Sequence, residues 1–245
     1  MDLYIIRHAQ STNNSLPTEV ELRDRVCDPL LTGLGYRQAE LLAEHLATGR
    51  DGWSEAASAD PEAGGGPGAA AYGITHLVCS PMKRTLLTAQ PVSRALGLGP
   101  EIWLDIHEHG GIYLDHGKPA GKIGYPGITR SELVAQFPGY RAPDALTDRG
   151  WWRAGFEEWD ACLGRAGGVA RRMREMCDDD ACIAMVTHGA FASALIMALV
   201  GTPPDAGVHF SHHNTGISLV RFRPDGGIRL RYLNRVSHLP PDMIT

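Results

Sequence analysis

The sequence predicts an α/β fold: a mostly parallel central sheet with helices on both faces, plus a cap insertion of helices and loops. Three observations predict it. Residues 3–6, 75–79 and 181–186 are short apolar runs with β-branched residues that stop at polar clusters, as strands buried on both faces of a parallel sheet do. A helical stretch follows each run before the next strand begins, the alternation that builds such a sheet. Near the end, Pro224-Asp225-Gly226-Gly227 separates two more strand-like runs as a hairpin turn.

In chain order, residues 3–6 form the first strand, and Thr32 caps a helix through about Thr48 with Leu34, Leu41, Leu42 and Leu46 along one face. Residues 54–73, rich in Ala, Gly and Ser and carrying Pro61 and Pro67, show no periodicity and read as a mobile surface loop. The second strand, 75–79, leads to Ser80-Pro81, which reads as an N-cap and first-turn proline opening a helix to about Leu96. A short strand near 101–104 comes next. Residues 105–178 read as the cap: a glycine-rich loop, then helical segments near 130–137 and 150–177. The second segment carries Trp152, Phe156, Trp159, Leu163, Ala170 and Met173 as its stripe. The third strand, 181–186, passes through Thr187-His188-Gly189 into an apolar helix ending at Val200, and 215–222 and 228–234 are the terminal strand pair. The whole chain, 1–245, is expected to be a single domain from which the loop and the cap project.

Composition narrows the function. A chain of 245 residues that is 43% hydrophobic and 21% charged is neither disordered nor fibrous. A net charge of −5 gives no general attraction to nucleic acid or anionic membrane, so any anion site has to be local. The five cysteines are scattered without a C-x-x-C pair, which points to reduced thiols. The apolar stretch at 191–200 is about half of what a bilayer crossing needs, and Met1-Asp2-Leu3-Tyr4 lacks the basic start of a signal peptide, so a cytoplasmic location is expected.

Ligands of open α/β sheets bind beyond the carboxyl ends of the strands, which makes the residues after each strand informative. Arg7-His8-Ala9-Gln10-Ser11-Thr12-Asn13-Asn14 follows the first strand, Ser80-Pro81-Met82-Lys83-Arg84-Thr85 the second and Thr187-His188-Gly189 the third. One such Arg or His is usually a surface or capping residue; two arginines and two histidines at three strand ends form a site. Guanidinium forks fit phosphate oxygens, and neutral histidine is a competent nucleophile, so the combination suits phosphoryl transfer through histidine.

These motifs resemble those of the histidine phosphatase superfamily, which also contains the cofactor-dependent phosphoglycerate mutases. Residues 7–14 resemble its R-H-G-[EQ]-[ST]-x-x-N with Ala9 in place of glycine. Leu31-Thr32-Gly33-Leu34-Gly35-Tyr36-Arg37-Gln38-Ala39 is similar to L-T-x-x-G-x-x-Q-A, and Ser80-Pro81-x-x-Arg84-Thr85-x-x-Thr88-Ala89 to S-P-x-x-R-T-x-x-T-A. Val186-Thr187-His188-Gly189, Asn214 and His238-Leu239 fit its later pattern. The resemblance implies a phosphomonoester hydrolase in which His8 is phosphorylated, Arg7, Arg84 and His188 hold the phosphoryl group, and Ser11, Asn14 and Asn214 contact a small phosphorylated substrate. It also implies a carboxylic acid after the strand near 101–104, for which Glu108 is the choice and Asp105 the reserve.

No cofactor is expected, and no metal: His107, His109, His116, His209, His212 and His213 make no strong ligand motif such as H-E-x-x-H. Ser80 and Pro81 are expected only to start a helix, Thr32 and Gln38 to be architectural, and Arg171, Arg172 and Arg174 to form a solvated face. Specificity contacts are sought among Tyr113, Lys118, Lys122, Arg130, Arg141 and Trp151. Two rivals stand beside hydrolysis. A mutase of the same superfamily is disfavoured by Glu108-His109-Gly110-Gly111 and Met82-Lys83-Arg84-Thr85, which depart from that branch's E-R-H-Y-G and Y-K-R-A runs. A non-catalytic phospho-ligand binder is motivated by Ala9, whose methyl group stands where glycine allows close approach.

Overall fold

The computed structural model describes residues 1–17, 25–49, 72–176 and 181–245. Its centre is a six-stranded sheet of β1 (Asp2–Arg7), β2 (His76–Cys79), β3 (Glu101–Ile102), β6 (Cys182–Thr187), β7 (Ile217–Phe222) and β8 (Ile228–Arg235), in the order β3-β2-β6-β1-β7-β8. The first four strands in that order are mutually parallel, and β7 runs antiparallel to both β1 and β8. The hairpin falls where the turn residues place it, with Asp225 Oδ1 accepting from Gly227 N at 2.9 Å.

Strand alternation divides the core. Tyr4, Ile6, Leu77, Ala184 and Val186 face α1 (Gly33–Thr48) and α2 (Lys83–Leu96), while Leu3, Ile5, Val78, Ile183 and Met185 face α4 (Trp159–Glu175) and α5 (Gly189–Val200). Burial of both faces is why these strands read as continuous apolar runs. The buried side of α1 is Gly35, Gln38, Ala39, Leu42, Ala43, His45 and Leu46; Leu34 and Leu41, expected on it, lie at its margin. Thr32 caps α1 by accepting from Gly35 N at 3.0 Å.

Three boundaries differ from the sequence reading. First, α2 begins at Lys83 with Met82 as N-cap, so Ser80 is not the cap; its hydroxyl is drawn into the site described below. Second, residues 151–158 are not helical, because their amides are taken by neighbouring segments: Trp151 N and Trp152 N donate to Pro126 O and Glu157 N to Gly110 O. Trp152 and Phe156 therefore precede the helix, whose buried stripe is Cys162, Ala166, Val169, Ala170 and Met173. Third, the glycine-rich stretch holds a small antiparallel pair, β4 (Tyr113–Asp115) and β5 (Lys122–Gly124), ahead of α3 (Arg130–Gln136), which Thr129 and Glu132 close with a capping box. Although it falls inside the 105–178 segment, α4 packs on the sheet beside α5. The loop expected at 54–73 lies outside the described residues except for Tyr72 and Gly73. Among the described residues, no helix is long and apolar enough to cross a membrane.

Two neighbouring glycines test the packing of α1 against the loop after β1. A Cβ on Gly35 would stand 2.1 Å from Gln10 O, whereas one on Gly33 meets nothing within 4 Å. Gly35→Ala should destabilise the protein by about 1–3 kcal/mol through overpacking, and Gly33→Ala should be neutral or stabilise it by up to about 1 kcal/mol. Denaturant unfolding of the two variants checks the contrast.

Candidate active site

The parallel strands end level. His8 N donates to Thr187 O at 2.9 Å and Ser80 N to Val186 O at 3.1 Å, so the first residues beyond β1, β6 and β2 are neighbours on one edge. A cleft of about 150 Å³ opens there, and Arg7, His8, Ser11, Asn14, Arg84 and Glu108 line it. His188 lies fully buried behind it, its ring centroid 5.2 Å from that of His8.

Hydrogen bonds fix the histidine tautomers. His8 Nδ1 donates to the Ala9 carbonyl at 2.7 Å, which leaves Nε2 with its lone pair, and Arg84 Nε donates to that lone pair at 3.1 Å. Burial holds the His8 pKa well below its ordinary value, and the Arg84 and Arg7 charges lower it further. His188 Nε2 lies 2.8 Å from Ser80 Oγ, which accepts from Met82 N at 3.4 Å. With the Ser80 hydroxyl donating to Nε2, the proton of His188 sits on Nδ1, a buried atom without a protein partner. Burial, Arg84 and His8 likewise keep the His188 pKa well below the usual range.

Arg7 reaches across the site to donate through Nη1 to the His212 carbonyl at 2.5 Å, and its Nε is a second buried donor without a partner. Arg84 is buried with Asp28, whose Oδ1 lies 4.0 Å from Nη1 and accepts from Lys83 N at 3.0 Å. Desolvation raises Asp28 to about 6 against the pull of Arg84.

Glu108 is set at the N-terminus of α5: Oε1 accepts from Phe191 N and His109 N, both at 2.9 Å, and Oε2 from Ala190 N at 3.3 Å. Asp105, the reserve, does not line the cleft; it sits in a 3-10 turn with its carboxylate 3.8 Å from Arg172 Nη1. Arg165 of α4, which sequence reasoning passed over, holds the Glu108 loop. Its Nη1 donates to the carbonyls of Asp105 and His107 at 2.9 Å each. Its other edge pairs bidentately with Glu157, Nε–Oε1 2.8 Å and Nη2–Oε2 2.5 Å. Desolvation opposes ionisation of Glu157, yet these hydrogen bonds and the His107 ring, with Nε2 3.6 Å from Oε1, bring it down to about 2.

Asn214, expected to touch substrate, is only 1% exposed and does not line the cleft; it donates to His8 O at 2.8 Å and accepts from Thr245 Oγ1 at 3.1 Å, bracing the nucleophile loop. Ser11 donates to Asn14 Oδ1 at 2.9 Å on the cleft wall. Ala9 has no exposed surface, and its methyl group packs with Leu31 and Ala39 while its N–H donates to Thr88 Oγ1 at 3.0 Å, so it does not obstruct the cleft. Of the six sought specificity contacts only Tyr113 lines the cleft; Arg130 donates to Leu146 O and Pro143 O, Arg141 pairs with Glu101, and Trp151 is buried against His107. Arg172 lies over the Trp103 ring rather than in a purely solvated face. Arg25 and Cys27 line the cleft without any sequence signal that ties them to it. Among the described residues no cluster of three metal-ligating side chains occurs.

A mixed α/β sheet whose carboxyl edge gathers two histidines, two arginines and a carboxyl group defines a class of anion site fitted to phosphoryl groups. The chain belongs to the histidine phosphatase superfamily (branch 1), whose family model matches residues 66–235. That span takes in Arg84, Glu108 and His188, while Arg7 and His8 precede it. Among solved structures, the chain is similar to a phosphoserine phosphatase from Entamoeba histolytica bound to 3-phosphoglyceric acid, with 19% identity over 98% of this chain and 99% of that one and a TM-score of 0.58. It is also similar to a putative α-ribazole-5′-phosphate phosphatase from Escherichia coli, with 20% identity, 96% of both chains and a TM-score of 0.59. A mycobacterial glucosyl-3-phosphoglycerate phosphatase gives 19% identity over 96% of this chain and 99% of that one, with a TM-score of 0.56. A search of curated proteins finds no significant match.

The buried histidines make stability depend on pH. Burial lowers His212 to about 4 and His238 to about 3, and it lowers His8 and His188 as well. Their folded pKa values lie below that of an unfolded histidine, about 6.5, so the unfolded chain binds more protons and stability falls as pH drops below that value. Asp28, raised to about 6, has the opposite sign but is one group against four. Tm should therefore fall steadily from pH 6.5 to 4, and His238→Gln should make that fall shallower; a scan of Tm against pH in both proteins tests it.

Proposed function

We propose that the protein is a phosphomonoester hydrolase, of the histidine acid phosphatase type, that works through a phosphohistidine on a small phosphorylated metabolite. The observation that carries this reading is the His8 Nε2 lone pair, fixed by the Nδ1 bond to Ala9 O, in a cleft with two guanidinium groups. Arg7 Nε and His188 Nδ1, buried donors without protein acceptors, are suited to phosphoryl oxygens. The similar structures named above are phosphatases, which supports the substrate class.

In this mechanism Arg84 Nε turns from His8 Nε2 to a phosphoryl oxygen, the freed lone pair of Nε2 attacks phosphorus in line, the N–P bond forms, and the ester P–O bond breaks with its electron pair going to the leaving oxygen. Glu108, in its protonated form, gives that oxygen a proton. Arg7, Arg84 and His188 hold the equatorial oxygens, where preorganised donors act most strongly on the transition state. Water, losing its proton to Glu108, then attacks phosphorus, and the N–P electron pair returns to His8. Ser80 is a positioning residue that sets the tautomer of His188, and Ser11 and Asn14 complete the wall.

His8→Ala should abolish both turnover and the acid-labile, base-stable phosphoenzyme trapped by acid-free quenching. Near-normal turnover in that variant would displace His8 as nucleophile. Activity should survive EDTA. With 3-phosphoglycerate and a bisphosphoglycerate primer, free phosphate should outpace the 2-isomer, the reverse order being that of a mutase. Ligand binding with no turnover of any ester would point instead to a binding protein.

Glu108→Gln separates acid catalysis from binding. A proton on the leaving oxygen contributes about 100- to 10,000-fold for an alkoxide, so the variant should lose kcat on that order with an alkyl phosphate and much less with p-nitrophenyl phosphate. Equal losses on both would assign Glu108 a structural role, and a leaving-group-dependent loss in Asp105→Asn would move the acid to Asp105.

A further inference from the structure

A second cleft adjoins the catalytic one, and the two share Arg7 and Glu108 in their walls. Their sizes differ decisively. The catalytic cleft, about 150 Å³, lies below the ~300–1,000 Å³ typical of small-molecule sites. The second, about 780 Å³, falls within the ~300–1,000 Å³ typical of small-molecule sites. The residues common to both are the arginine assigned to the phosphoryl group and the acid assigned to the leaving oxygen, so the boundary between the clefts lies where the scissile bond would be.

The chemistry of the larger cleft is distinctive. Trp159 and His209 form an aromatic wall, ring centroids 5.8 Å apart, with Phe210 beside them. Trp159 and Phe210 are half-buried against the core under α4 and α5, and Ser193 Oγ accepts from Phe210 N at 2.9 Å, so these rings are anchored. Arg7 is the one guanidinium or ammonium group in the lining, and Asp205 and Glu108 are its carboxyls. Such a surface stacks against a ring, with Arg7 and His209 as basic groups and Asp205 and Glu108 as acidic ones.

We propose that this cleft is the leaving-group subsite and that the substrate is a phosphomonoester of an alcohol carrying an uncharged ring. The proposal rests on the hydrolase reading above. It places the ring against Trp159 and Phe210, with the ester oxygen at Glu108 and the phosphoryl group at His8. It disfavours esters whose alcohol bears a carboxylate or a second phosphate, because Asp205 adds a negative charge to that lining.

The test compares kcat/KM for four esters that all leave as primary alkoxides: benzyl phosphate, a nucleoside 5′-monophosphate, glycerol 3-phosphate and 3-phosphoglycerate. The ring esters should be preferred over the acyclic ones by roughly tenfold, the size of one good aromatic contact. Trp159→Ala and Phe210→Ala should shrink that ratio, mainly through KM. Asp205→Lys, at an exposed loop position that tolerates change, should raise 3-phosphoglycerate relative to glycerol 3-phosphate and so reads the cleft even if a ring variant fails to fold. Hydrolysis of all four esters without ring preference, or ratios that none of the variants move, would overturn the subsite while leaving the hydrolase intact. Phosphate release from none of them would overturn the hydrolase reading and the subsite with it.

Discussion

The bond from His8 Nδ1 to the Ala9 carbonyl decides which ring nitrogen is available, and much of the molecule is arranged to hold the loop that makes it. The Ala9 amide is tied to Thr88 on α2, the Gln10 amide to Gln38 on α1, and the His8 carbonyl to Asn214 ahead of β7. Gln38 also donates to Met243 O and Thr245 Oγ1, which brings the C-terminal tail into the same network. Thr215 supports the loop from the other side by donating to Arg7 O while held at φ 58°, a left-handed conformation costly for a β-branched residue. That strain persists because its hydroxyl bonds to Asn214 O and His238, so the surroundings over-determine it.

A nucleophile of this kind has to stay neutral inside a cationic, desolvated cleft, and the two requirements reinforce each other here. Burial and the nearby guanidinium groups both disfavour the imidazolium form of His8 and His188. The same arginines are costly to bury, and Asp28 is a poor counter-ion at 4.0 Å with a carboxyl raised to about 6. The site thus holds positive charge that the protein itself neutralises only in part, a condition under which an incoming dianion is favoured.

How much of this was legible in the sequence follows from the range of each interaction. Strand ends were readable because burial on both faces leaves an apolar run that stops abruptly, and the level register of β1, β6 and β2 then brings Arg7, His8, Arg84 and His188 together. Thr32 and Gln38 were readable as architecture through local capping and motif. Ser80 was misread because its capping signal is local, whereas its actual partner, His188, is 108 positions away. Arg165 left no sequence signal: a charged residue on an amphipathic helix looks solvated until the carbonyls of Asp105 and His107 and the carboxylate of Glu157 are seen around it. The start of α4 was misplaced for a related reason, since Trp152 and Phe156 continue the apolar pattern while their backbone is engaged elsewhere.

Asn214 and Arg7 are held in opposite ways. Its position beside His8 makes it easy to read as a ligand for phosphate, yet every polar atom of its side chain is engaged by protein: Nδ2 by His8 O and Asn14 Oδ1, Oδ1 by Thr245. In that arrangement it braces the nucleophile loop. Arg7 is the contrasting case. Its Nη1 is committed to a backbone carbonyl, which fixes the guanidinium plane, while Nε stays buried and unpaired. An arginine anchored at one end and unsatisfied at the other has already lost the rotamer freedom that binding would cost it, so a phosphoryl oxygen gains the bond with little further ordering.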